Sequence, residues 1–248
     1  MTRYFLSLSY HGRTFSGWQR QPNAPSVQGT LEDALSTLLR IPVAVTGCGR
    51  TDTGVHARNY IAHFDAPDAL PDTFLNALNS ILPPAIAVYG LRAMHATAHA
   101  RFDAFERRYL YGITLRKDPF LTETAWFFPQ GQRMDRAALH AVADLLPRYR
   151  AFLPFAKTDS GLDSFHCDVR QAYWEDHGQM LVFHIVANRF LRGMVRLIVG
   201  ACVQAAMGQI EVGAIGEALE NQSPLQKSLS VPPQGLFLTE IKYPYPTP

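Results

Sequence analysis

Apolar residues alternate with polar ones at the start of the chain, and leucines at helical spacing follow. Residues 4–10 carry an apolar side chain at every second position, which is the pattern of a half-buried strand. Leucines between positions 31 and 39 recur every three or four residues, which predicts a helix that Ser26 or Thr30 can cap. The remaining elements predicted here are strands at 43–46, 60–64 and 86–91, and a helix ending at Pro83. The resulting order, β-α-β-β-α-β, is that of a ferredoxin-like unit.

The second half of the chain repeats this order of elements without repeating the sequence. Strands are predicted at 107–115, 169–174, 180–186 and 236–243, and helices around 139–146, 190–207 and 210–220. We therefore predict an α/β (α+β) protein with two ferredoxin-like units, residues 1–104 and 105–248. The two units would form one continuous mixed, largely antiparallel sheet that is flanked by helices and has a central cleft.

Composition excludes several classes of protein. Of the 248 residues, 47% are hydrophobic and 18% charged, which is typical of a globular chain rather than a disordered one. No apolar stretch approaches the ~20 residues of a membrane span, and the N-terminus lacks a secretion signal. Cys48, Cys167 and Cys202 are scattered and form no C-x-x-C pair, which disfavours both a disulfide framework and a zinc site. We expect a cytoplasmic protein.

The net charge of +2 is too small to indicate nucleic-acid binding by itself, so that question depends on where the arginines lie. The richest stretch in chemical groups is the segment 47–57, Gly-Cys-Gly-Arg-Thr-Asp-Thr-Gly-Val-His-Ala. A polar turn in which Asp52 pairs with Arg50 would account for a short Gly-Arg-Thr-Asp string. A functional loop that presents a carboxylate, a cation and an imidazole is the alternative.

The longer string Gly-Arg-Thr-Asp-x-Gly-Val-His-Ala resembles the signature loop of the tRNA pseudouridine synthase A family. Further segments match that family in the same order along nearly the whole chain. They are Gly17-Trp18-Gln19-Arg20-Gln21, His99-Ala100-Arg101-Phe102, Arg107-Arg108-Tyr109, Asn188-Arg189-Phe190 with Met194-Val195-Arg196, and Gly235-Leu236-Phe237-Leu238. Two departures are Thr53, where the family commonly has alanine, and the poorly matching segment 151–168.

The resemblance implies an isomerase that converts uridine to pseudouridine in the anticodon stem-loop of tRNA, at positions 38–40. It needs no cofactor and no metal. Asp52 matches the family's nucleophile, and whether it attacks C1′ of the ribose or C6 of the base stays open. Arg196 would keep Asp52 ionised, Tyr109 would stack on the target uracil, and Arg50 would enter the space left by the flipped base.

Other residues have supporting parts in this interpretation. Arg101 belongs to a basic run that could follow RNA phosphates, although such runs are usually solvated surface. Trp18 and Arg20 suit a mobile loop that grips RNA, and His56 would brace the Asp52 segment. His95, His99 and Asp103 are spaced like metal ligands, but structural roles are favoured. The family also implies a homodimer in which one tRNA contacts both subunits, with no DNA or membrane partner.

Three alternative functions differ from this interpretation. The first is a synthase of the same fold that acts at other RNA positions, which only mapping of the modified uridines separates. The second is a catalytically silent RNA-binding module, which would gain nothing from a nucleophile at Asp52. The third is a nuclease, for which the sequence lacks a metal-binding carboxylate cluster or paired catalytic histidines.

Overall fold

A computed structural model describes residues 1–67, 69–157 and 164–248. The strands within these ranges are β1 (Thr2–Tyr10), β2 (Thr46–Gly47), β3 (His56–Ala66), β4 (Ile86–Met94), β5 (Glu106–Thr114), β6 (Trp126–Phe127), β7 (Val169–Asp176), β8 (Met180–Ala187) and β9 (Leu236–Lys242). The α-helices are α1 (Val27–Leu39), α2 (Phe74–Ile81), α3 (Arg136–Leu145), α4 (Met194–Ala206) and α5 (Val212–Glu220). None of the described helices is both long enough and apolar enough to cross a membrane.

The chain forms two compact units. The first comprises Met1–Glu106 together with Phe237–Pro248, and the second comprises Arg107–Leu236. The C-terminal segment lies in the first unit because β9 pairs in parallel with β3, and because the Phe105 amide donates to the Lys242 carbonyl at 3.0 Å. The division predicted from sequence placed that segment in the second unit.

The sheet of the first unit has the strand order expected of a ferredoxin-like fold. β1 lies between β4 and β3 and is antiparallel to both, and β2 pairs antiparallel with β3. Successive side chains of β1 point to opposite faces. Leu6 and Leu8 are fully buried on one face, and Phe5 is fully buried on the other, against the rings of Tyr243 and Tyr245. Both faces of this central strand are therefore packed.

Helix α1 begins where the sequence predicts, but the strand after it is shorter than predicted. The Ser26 hydroxyl caps α1 by accepting from the Gly29 amide at 3.2 Å. The strand predicted at 43–46 is reduced to β2, because side chains of α1 take the backbone bonds that a strand would use. Glu32 accepts from the Val45 amide at 3.1 Å, and Gln28 donates to the Val45 carbonyl at 2.9 Å.

The second unit contains an antiparallel sheet and a buried helix. β8 lies between β5 and β7, and β6 adds to β5 in parallel. α3 is capped by Asp135, whose carboxylate accepts from the Ala137 amide at 2.8 Å. The predicted helix at 190–207 begins four residues late, at Met194, because Gly193 has a left-handed backbone with φ of 72°. α4 is buried over almost its whole length, as its apolar sequence predicts.

The predicted fold class is confirmed: helices flank a mixed sheet that contains both parallel and antiparallel pairs. The continuous sheet and its central cleft stay predictions. The three cysteines are buried thiols that form no disulfide. Of the divergent segment 151–168, residues 158–163 lie outside the described residues, and on their N-terminal side Phe152 and Phe155 are fully buried.

Two helical glycines in the second unit give a matched test of packing. A Cβ at Gly200 of α4 would lie 1.8 Å from the Leu229 carbonyl oxygen, whereas one at Gly213 of α5 would meet nothing within 4 Å. We expect Gly200→Ala to lower the free energy of unfolding by about 1–3 kcal/mol because the backbone must move apart. Gly213→Ala should raise it by up to ~1 kcal/mol through helix propensity. Urea unfolding followed by circular dichroism measures both, and equal effects would contradict the close approach.

Candidate active site

The segment singled out by sequence joins β2 to β3, and residues 47–57 are called the Asp52 loop below. The Cys48 amide donates to the Ile61 carbonyl at 2.8 Å, which attaches the start of the loop to β3. After Asp52 the chain makes a tight turn, in which the Val55 amide donates to the Asp52 carbonyl at 3.2 Å. Gly54 occupies the third turn position with φ of 77°, a value that favours glycine. Asp52 thus lies at the first position of a defined turn.

Three buried aromatic residues, Tyr10, Trp18 and Tyr60, pack against this loop, and we call them the aromatic brace. They come from β1, from the segment after it, and from β3, and are 3%, 3% and 0% exposed. The rings of Trp18 and Tyr60 are stacked, with centroids 4.1 Å apart and planes at 25°. The Tyr10 ring meets Tyr60 edge-on at 5.5 Å.

The brace is hydrogen-bonded to the loop on both sides of Arg50. The Tyr60 hydroxyl donates to the Gly49 carbonyl. The Trp18 amide donates to the Thr51 carbonyl at 3.2 Å, and the hydroxyls of Tyr10 and Thr51 are bonded at 2.9 Å. The segment immediately before Asp52 is therefore held by two bonds to its backbone and one to the Thr51 side chain, while Asp52 itself is half-buried and Arg50 is exposed.

The far end of the loop is fixed by His56, which is 1% exposed. Its Nδ1 accepts from the Gly12 amide at 3.0 Å, and its ring stacks on Phe237 at 4.5 Å and lies 4.3 Å from His11. The guanidinium of Arg58 lies 5.1 Å from the centre of the Phe237 ring. Burial, together with the Arg13 cation, lowers the pKa of His11. The imidazoles of His11 and His56 and the exposed cations of Arg13 and Arg58 thus surround this end of the loop.

The burial of Trp18 and the ion pairs of Arg20 differ from what an exposed, mobile RNA-gripping loop would show. Trp18 is buried in the aromatic brace. Arg20 is exposed, but its guanidinium is 3.0 Å from Glu32 and 3.3 Å from Asp33. The Arg20 amide also donates to the Gln28 side chain at 3.0 Å. These contacts attach the segment to α1.

Arg101 lies in another cluster of the first unit. It is exposed, with its guanidinium 5.7 Å from the ring centre of the exposed Phe102, and its amide donates to Nδ1 of His99 at 3.1 Å. Behind it, burial and the Arg3 cation lower the pKa of His63 to about 4. The described residues contain no group of three or more His, Cys, Asp or Glu that could hold a metal ion.

The second unit supplies Tyr109 and Arg196. Tyr109 is half-buried on β5, and its ring meets Phe190 edge-on at 5.1 Å. Tyr111, two residues further along the strand, is fully buried and donates its hydroxyl to the Pro232 carbonyl at 2.7 Å, as expected of a packing residue. Arg196 lies half-buried in the first turn of α4, and its Nε donates to the Val231 carbonyl at 2.7 Å.

Comparison with known proteins identifies the family. Residues 150–244 match the model of a tRNA pseudouridine synthase family. The chain is 41% identical over 249 residues to tRNA pseudouridine synthase A of Porphyromonas gingivalis, with 98% of each chain covered. It is 41% identical over 246 residues to the protein of the same name from Parabacteroides distasonis, covering 98% of this chain and 97% of the other. The chain belongs to the tRNA pseudouridine synthase A family. The resemblance drawn from the sequence motifs is thus confirmed, and so is the isomerase class.

Within this synthase family member, the first unit gathers only part of the predicted site. Asp52, Arg50, Trp18 and His56 belong to the Asp52 loop or contact it directly. Arg20 is engaged by α1, and Arg101 belongs to the cluster with His99. The predicted roles of all these residues, and those of Tyr109 and Arg196, stay predictions.

Sequence reasoning missed Tyr10 and Tyr60, which carry two of the three hydroxyl and amide bonds from the aromatic brace to the loop. Both occur in strand patterns, where a tyrosine at an inward position is indistinguishable from an apolar core residue. It also missed Arg58, which directly follows the loop on β3 and whose exposed guanidinium lies over the Phe237 ring. An isolated arginine in a strand gives no recognisable motif.

Proposed function

We propose that this enzyme isomerises uridine to pseudouridine in tRNA, with Asp52 as the nucleophile. The observation that carries the proposal is the position of Asp52. It is a half-buried carboxylate directly after a segment to which three buried aromatic residues are hydrogen-bonded. Identity of 41% to synthases over 98% of the chain supports the same reaction.

The chemistry of the isomerisation explains why a fixed carboxylate is needed. The bond between C1′ and N1 breaks, the uracil turns, and a bond forms between C1′ and C5. C5 loses its proton and N1 gains one, so the atoms and electrons balance without an oxidant or reductant. The detached base must be kept from diffusing or turning wrongly. A carboxylate can help by forming a covalent intermediate in a fixed geometry: attack at C6 ties the base to the enzyme, and attack at C1′ holds the ribose carbon in place while the base turns within the site.

Tyr109 is assigned to the target base. A tyrosine ring can stack on uracil, and its hydroxyl can assist the transfer of the C5 proton. The half-buried position of Tyr109 against Phe190 fits this role, since its ring orientation is supported from one side. For Arg196, the proposed role is to keep Asp52 ionised, as the family resemblance implies.

Arg50 is assigned to base flipping. A uridine inside a stem must leave its stack before its C1′ and C5 can be reached, at a cost of a few kcal/mol. The side chain of Arg50 is exposed, whereas its backbone is held on both sides by the aromatic brace. A long planar cation on a fixed backbone suits insertion into the vacated space.

The remaining parts of the proposal follow the family resemblance. The targets are uridines at positions 38–40 of the anticodon stem-loop, the enzyme is a cytoplasmic homodimer, and RNA is its nucleic-acid partner. Arg101 and the missed cation Arg58 are assigned to phosphates. For Trp18, the motif predicts a place in a mobile loop that grips RNA. Because Trp18 is buried, we propose instead that it supports the Asp52 loop by packing against it.

The nucleophile is tested by release of tritium from tRNA that carries [5-³H]uridine. Wild-type enzyme should release tritium, because C5 loses its hydrogen when it bonds to C1′. Asp52→Asn should reduce release to background while still binding the tRNA, because the amide is a far weaker nucleophile than a carboxylate.

Asp72→Asn is the matched control, since Asp72 is an exposed aspartate of the same unit. It should release tritium at the wild-type rate. Release by Asp52→Asn at the wild-type rate would exclude Asp52 as the nucleophile. A wild-type enzyme that binds tRNA but releases no tritium would favour the silent RNA-binding module.

The role of Arg50 is tested with two stem-loops that differ only in the partner of the target uridine. In one the uridine is base-paired, and in the other its partner is changed so that it is unpaired. Arg50→Ala should lose at least about tenfold more activity on the paired target, because the unpaired uridine needs less help to leave the stack. The exposed Arg92 of β4 provides the charge-matched control variant, Arg92→Ala. Equal losses on the two substrates would refute a flipping role.

A further inference from the structure

Tyr60 is a fully buried tyrosine whose hydroxyl is hydrogen-bonded to the backbone of the Asp52 loop. It lies on β3, is 0% exposed, and donates to the Gly49 carbonyl. Burying a hydroxyl group costs free energy unless the group is hydrogen-bonded. The bond to Gly49 therefore stabilises the buried tyrosine and also restrains the loop. Gly49 directly precedes Arg50 and stands three residues before Asp52.

The ring of Tyr60 supports the loop by a second route. It stacks on Trp18 at 4.1 Å, and the Trp18 backbone amide donates to the Thr51 carbonyl. Its edge meets Tyr10, whose hydroxyl is bonded to that of Thr51. Tyr60 therefore contacts both other members of the aromatic brace, and its hydroxyl is bonded to Gly49 as well.

The side chains of Tyr60 and Trp18 are closely packed against the backbone at Gly47. A Cβ placed on Gly47 would lie 2.2 Å from the Tyr60 hydroxyl oxygen and 2.5 Å from the Trp18 ring. The two rings thus lie directly against the loop backbone. Because closely packed groups transmit small displacements, a shift of the Tyr60 ring or the loss of its hydroxyl bond would move the loop.

We propose that Tyr60 is a positioning residue for the reaction: its hydroxyl fixes the backbone at Gly49 and so sets the direction of Arg50 and Asp52. Tyr60 itself does not touch the substrate. The inference rests on the proposed role of Asp52, and it makes the hydroxyl group of Tyr60 one of the bonds on which the accuracy of Asp52's placement depends. Phenylalanine at this position would fill the same space and keep the stack on Trp18, but would leave the Gly49 carbonyl without this donor.

The test compares Tyr60→Phe with Tyr4→Phe. Tyr4 is also a buried tyrosine of the first unit, 8% exposed, and its hydroxyl accepts from the Leu70 amide at 3.2 Å. Each variant loses one hydroxyl with a backbone partner, but only Tyr60 is bonded to the Asp52 loop. The single-turnover rate constant on tRNA should fall roughly 10- to 100-fold in Tyr60→Phe. It should stay at the wild-type value in Tyr4→Phe, and the dissociation constant for tRNA should be unchanged in both.

Amide hydrogen exchange supplies a readout that a general loss of stability would not produce. In Tyr60→Phe the amides of Trp18, Gly54 and Val55 should exchange faster, since each is bonded to or within the Asp52 loop. The amides of β1 and β4 should be unaffected. If Tyr60→Phe does not fold, Tyr10→Phe replaces it, because it removes the bond to Thr51 and should give the same pattern.

The outcomes separate this inference from the proposed function. A Tyr60→Phe enzyme with the wild-type rate, alongside an inactive Asp52→Asn enzyme, would overturn the positioning role and leave the nucleophile in place. Equal losses in Tyr60→Phe and Tyr4→Phe, or a change in tRNA affinity alone, would also overturn it. An active Asp52→Asn enzyme would instead overturn the proposed function.

Discussion

The packing of Tyr10, Trp18 and Tyr60 against residues 49–51 is the constraint on which the candidate site depends. Tyr10 and Trp18 come from β1 and the segment that follows it, whereas Tyr60 comes from β3, and these side chains meet because β1 and β3 are neighbours in the sheet. The rings are removed from water. The hydroxyls of Tyr60 and Tyr10 are bonded to the Gly49 carbonyl and to the Thr51 hydroxyl, and the backbone amide of Trp18 is bonded to the Thr51 carbonyl. The loop carboxylate that we propose as the nucleophile is thereby given the positional accuracy of a core residue.

Helix α1 extends this constraint through polar side chains. Gln28 and Glu32 bond the backbone at Val45, just before the Asp52 loop, and the same two residues bond Arg20 in the segment that carries Trp18. Glu32 is buried, and a buried carboxylate is tolerated when it is paired and hydrogen-bonded. One face of α1 therefore connects the residues that lead into the loop with the segment that carries Trp18. The same bonds prevent a regular strand at 43–45.

The sequence predicts the elements of this fold well, because their periodicity is set by burial. The leucines of α1 and the alternation in β1 and β3 are examples. It predicts the ends of elements less well, since these depend on tertiary bonds such as that from Glu32 to Val45, or on a left-handed residue such as Gly193. For the site, motif resemblance indicated Asp52 and Arg50, but the burial of Trp18 and the bond from Tyr60 depend on chain segments meeting in space, which no local pattern encodes.

The central claim is that activity depends on where the Asp52 carboxylate is held, as well as on its presence. The most direct measurement is the single-turnover rate constant of Asp52→Glu, which keeps the carboxylate and extends it by one methylene, about 1.5 Å. On a loop fixed at Gly49 and Thr51, the rate constant should fall at least ~100-fold with tRNA affinity unchanged. A rate constant near that of the wild-type enzyme would show that the loop adjusts freely to the longer side chain, and would contradict the account.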